Sequence, residues 1–155
     1  MRIPPGRVRE PRRLLWTGLL TLGIGFAWYY FRAFQELDFN AGRRHNPLIF
    51  FAPVPIFGPF LAALYMRIEQ KGLDRDRAAL GLLPGLSFGR HTGWVLLGIL
   101  TGLVIGIPVA LATLPLLGEF SFWLSTAIVS TAGLAFAAPR LAPDINEVWQ
   151  RRGVA

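Results

Sequence analysis

Four stretches of the chain carry no Asp, Glu, Lys, Arg or His: residues 14–31, 47–66, 94–117 and 120–138, which are 18, 20, 24 and 19 residues long. An α-helix rises about 1.5 Å per residue and a hydrocarbon core is about 30 Å thick, so each run has the length that crosses a bilayer. The expected fold class is an all-α integral membrane protein. It has four transmembrane helices plus a short C-terminal interfacial amphipathic helix, in a single membrane domain over 1–155.

Composition agrees. Of 155 residues, 53% are hydrophobic and 16% charged, against about 25% charged in soluble domains. The absence of Cys excludes disulfides, thiolate metal sites and cysteine nucleophiles. The net charge of +7 sits in short segments beside apolar runs, so it reads as a topology signal and no nucleic-acid partner is expected. The first run follows a basic leader but ends in Trp28-Tyr29-Tyr30-Phe31 rather than a small-residue cleavage site, so it reads as an uncleaved anchor.

Basic residues stay on the cytoplasmic side. With four spans, thirteen Lys and Arg fall on the side of both termini and of the loop 67–93, and three on the other. The expected localisation is therefore the plasma (inner) membrane, multi-pass, with cytoplasmic N- and C-termini. Trp16, Trp28, Tyr65, Trp94 and Trp123 lie near run ends, where aromatic rings favour the headgroup level.

Three local patterns stand out. Gly98, Gly102 and Gly106 repeat at four-residue spacing, the pattern that lets helix backbones approach closely in lipid. Thr126, Ser130, Gly133 and Ala137 form a matching small-residue stripe. With only Gly118 and Glu119 between the two runs, an antiparallel hairpin is expected; a helix from another protein is the alternative occupant. Pro53, Pro55, Gly58 and Pro59 interrupt the second run and mark a broken-helix candidate, because each proline removes a backbone donor. Unwound backbone at that depth must be buried or face a watery cavity. Residues 144–152 read as a separate tail helix, with Asp144 and Glu147 spaced as a capping box. Ile145, Val148 and Trp149 share its apolar face, which suits either the bilayer interface or the protein's own loops.

The sequence 21–25, Thr-Leu-Gly-Ile-Gly, followed by Trp28-Tyr29-Tyr30 and Glu36-Leu37, resembles the first helix of a bacterial membrane-domain family of unknown function, over residues 14–70. The likeness departs at Gly25 and at the three prolines of the second run. It implies a membrane location and no assigned activity.

No pattern for a catalytic set, a phosphate-binding loop or a metal site is present, and His45 and His91 fall in separate loops. No catalytic, cofactor-binding or metal-ligating residue is therefore assigned, and no cofactor is expected. The expected role is non-catalytic: contact with lipid and with other membrane proteins or a second copy, as an accessory or assembly subunit of a larger complex. The alternative is a small transporter or channel component built on the broken second run.

Overall fold

The computed structural model describes residues 6–42 and 58–154, apart from the side chains of 58–66. Among the described residues the chain is all-helical, with five helices: α1 (Pro11–Leu20), α2 (Ile24–Asn40), α3 (Gly58–Ala79), α4 (Phe88–Leu117) and α5 (Phe120–Arg151). Two of them, α4 and α5, are long and apolar enough to cross a membrane.

The expected first span, 14–31, is not one helix. Pro11 presets the first turn of α1, but the helix stops after Leu20 in a paired C-terminal motif. The Gly23 N–H donates to Gly18 O (2.9 Å) and the Leu22 N–H to Leu19 O (3.1 Å). Leu22 and Gly23 take φ of 48° and 90°. The Thr21 hydroxyl donates to Thr17 O (2.7 Å) and accepts from the Gly25 N–H (2.8 Å), tying the end of α1 to the start of α2. The chain then turns back. Gly18 lies so close under the Phe26 ring that any Cβ there would overlap it.

The mouth of this α1–α2 hairpin is closed by charge. Arg9 donates to both carboxylate oxygens of Glu36, and its backbone exchanges two hydrogen bonds with the Asn146 carboxamide (2.9 and 2.7 Å). The chain on either side of the expected span is therefore brought together, with Arg9 held on α5.

Of the expected second span, 47–66, only the part from Gly58 falls within the described residues. Helix α3 runs on past the end of that run, through Gly72, to Ala79. Leu73 is fully buried and belongs to the main apolar cluster, and that packing outweighs the roughly 1 kcal/mol helix penalty of the adjacent glycine. The expected loop 67–93 thus shrinks to the segment between α3 and α4.

Helix α4 begins at Ser87, whose Oγ accepts from the Arg90 N–H, and ends at Gly118 (φ 54°). Helix α5 begins two residues later and runs for 32 residues through Pro139 and Pro143. The separate tail helix is thereby corrected: 144–151 is the last part of α5. Each proline deletes one backbone bond, but Leu141, Ala142, Ile145, Val148 and Trp149 are all at 0–1% exposure against α1, α2 and α3. Tertiary burial holds the helix where local preference would end it. Trp149 faces the chain's own core, with Gly6 against its indole ring. The expected capping box also dissolves. Asp144 Oδ2 accepts from the Leu86 N–H (2.5 Å), and Glu147 pairs with Arg77 (2.6 Å).

Candidate functional site

Helices α4 and α5 meet along a seam of small residues. A Cβ on Gly98 would strike the Ala132 carbonyl, one on Gly102 would lie 2.6 Å from Val129 Cα, and one on Gly106 would lie 2.9 Å from Ser125 Oγ. The glycine groove is occupied by the chain's own α5. The facing residues are Ser125, Val129, Ala132 and Gly133, with Ala137 packed on Val95 and Ile99 at the wider end. Thr126 is buried with its hydroxyl bonded back to Phe122 O, and Ser130 is half-buried. The contact face thus lies about one residue away from the expected stripe over its first half, and coincides with it at Gly133 and Ala137.

The outer face of this hairpin is apolar and open. Leu100, Val104, Ile107 and Leu111 on α4 and Phe120 and Trp123 on α5 are each more than half exposed.

A second feature lies on the other side of α5. Gly23, at the tip of the α1–α2 hairpin, sits beside Thr131, so that a Cβ there would lie 2.8 Å from its Oγ1. From that level α2 follows α5, with Phe34 and Leu37 in one cluster with Leu141 and Ile145. Nine residues on from Gly23 stands Arg32; nine residues on from Thr131 stands Arg140. At about 1.5 Å per residue both lie roughly 14 Å from the tip level, close to half a hydrocarbon thickness. Each is paired with a tryptophan. The Arg32 guanidinium lies 5.2 Å from the Trp28 ring and that of Arg140 lies 3.5 Å from Trp94.

Between α1 and α2 at this level is a groove of about 740 Å³. Its walls include Arg7, Arg9, Arg13 and Arg32 together with Trp28 and Tyr29. Arg9 is held by Glu36 and lies 5.9 Å from the Tyr29 ring. Arg7, Arg13 and Arg32 are exposed and form no ion pair among the described residues. Beyond the groove the hairpin tip is apolar and exposed: Leu20, Leu22 and Ile24.

Two polar contacts fasten the remaining elements. The Arg77 side chain, nearly buried, donates to Leu83 O, Asp144 O and Glu147, joining α3, the following loop and α5. His91 is buried one turn before the uncharged run 94–117, with Nε2 3.5 Å from the Tyr30 hydroxyl.

Of the broken-helix candidates, Pro53 and Pro55 lie outside the described residues, and Gly58 and Pro59 fall within α3. Among the described residues there is no group of three or more His, Cys, Asp or Glu able to hold a metal ion. Sequence reasoning missed the arginine-lined groove. Its signal was a mirrored order about residues 21–23: Glu10, Arg13, Trp16 and Leu20 before the turn, then Ile24, Trp28, Arg32 and Glu36 after it.

No family model, no curated protein and no solved structure matches the chain.

Proposed function

We propose that the chain is a multi-pass protein of the plasma (inner) membrane that works by contact, as a non-catalytic accessory or assembly subunit of a larger membrane complex. Helices α4 and α5 cross the bilayer. The α1–α2 hairpin enters from the cytoplasmic side to about the midplane and returns. All sixteen Lys and Arg lie before or after the stretch 94–139, which favours a cytoplasmic location for both termini.

The observation that carries this reading is the glycine seam. Backbone meets backbone at Gly98 and Gly102, so the spanning pair encloses no passage. What it presents is an apolar outer face, the kind of surface that packs on lipid or on another spanning helix. The transporter or channel alternative draws no support from such a closed hairpin.

Crosslinking in native membranes, followed by purification in mild detergent, tests the proposal. The expected result is a defined partner, or a second copy, crosslinked through α4 residues such as Leu100 and Val104. A chain recovered only as a monomer, with no crosslinked species, overturns it.

A further inference from the structure

We propose that the groove between α1 and α2 binds the phosphate of an anionic phospholipid, with the acyl chains lying along the exposed tip of the hairpin. The groove joins the three properties such a ligand needs. Arg7, Arg13 and Arg32 supply exposed guanidinium groups with no ion pair among the described residues. Planar guanidinium groups match phosphate oxygens in geometry as well as charge. Trp28 and Trp16, exposed one turn closer to the tip than Arg32 and Arg13, stand where a glycerol backbone meets water. Leu20, Leu22 and Ile24 then continue as apolar surface, at 81%, 57% and 67% exposure.

The charge balance fits one anionic headgroup. Four arginines and two glutamates line the groove, and Arg9 is neutralised by Glu36. This leaves three positive charges, on Arg7, Arg13 and Arg32, against Glu10 and the incoming phosphate. Free phosphate shares the headgroup chemistry but has no use for the apolar tip, which is why the lipid is the favoured source.

The lipid source rests on the membrane reading given above; the groove's affinity for phosphate does not. The intact chain, delipidated in detergent, is titrated separately with short-chain phosphatidylglycerol, with short-chain phosphatidylcholine and with inorganic phosphate, and retained ligand is read by native mass spectrometry. Phosphatidylglycerol is expected to saturate at one per chain and to bind at least about tenfold more tightly than phosphatidylcholine. R13Q combined with R32Q is expected to weaken phosphatidylglycerol by about thirtyfold, the loss that two membrane-facing charges carry. Helix content and melting temperature should not change.

Equal affinity for the two lipids, or indifference to the double variant, overturns the proposal. Inorganic phosphate binding as tightly as phosphatidylglycerol overturns the lipid and leaves a phosphate site. Should the double variant fail to fold, the wild-type chain decides: its preference for phosphatidylglycerol must fall as salt is raised, and a salt-independent preference overturns the proposal. Failure to find a protein partner leaves every one of these readings intact, so the two proposals fail separately.

Discussion

Arg9 spreads its guanidinium over both carboxylate oxygens of Glu36, at 3.1 and 2.7 Å, across the mouth of the α1–α2 hairpin. The chain on either side of the expected first span is thereby brought together, next to Asn146 on α5. Reporter fusions at the N-terminus and inserted after Gly42 should report the same, cytoplasmic side. Opposite sides would mean that residues 14–31 cross the bilayer, against this arrangement.

The glycine seam leaves no room for a side chain at Gly102, where a Cβ would lie 2.6 Å from Val129 Cα. Gly102→Leu should destabilise the hairpin by about 1–3 kcal/mol, the usual effect of overpacking. Val104, on the open face at 75% exposure, should accept leucine within about 0.5 kcal/mol. Unfolding in mixed micelles gives both values, and equal effects would show that the seam is not tight.

Leu22 holds a left-handed conformation, φ 48°, that a side chain disfavours by about 1–2 kcal/mol. Leu22→Gly should therefore raise stability by about 1 kcal/mol after the added chain entropy of glycine is subtracted. Gly23→Ala should do the reverse, since its φ is 90° and Thr131 stands in the way. The sign of the two shifts in melting temperature is the test.

Arg77 satisfies two carbonyls and one carboxylate at once. Arg77→Met should lower stability by roughly 1–3 kcal/mol, because two part-buried carbonyls lose their donor along with the ion pair. Glu147→Gln should lower it by about 1 kcal/mol, since that carboxylate is 46% exposed and screened by solvent. Similar losses for the two would place the energy in the charge pair instead.

The α4–α5 hairpin was legible because lipid imposes a length and a closely packed seam imposes a spacing, and residues 94–138 satisfy both. Its register on α5 was less so. Small size alone pointed to Thr126 and Ser130, yet the voids left by three glycines accept Val129 and Ala132 equally well. The break in the first run was hidden because hydropathy averages over a window, whereas the turn depends on single atoms: the Thr21 hydroxyl and the missing Cβ atoms of Gly18 and Gly23. The tail was misread for the opposite reason. Pro143 is a local signal to stop, and the burial of Ile145, Val148 and Trp149 is a long-range fact that no local pattern contains.

Helix α5 follows in the chain every element that rests on it. During translation α1 and α2 leave the ribosome long before the Asn146 carboxamide that receives Arg9 and the indole that covers Gly6. Until then α2 lacks the face of α5 that buries Phe34 and Leu37 against Leu141 and Ile145. Closure of the fold therefore waits on α5: the last of the five described helices fastens the first two, and a ribosome stalled before residue 140 would leave them without that support.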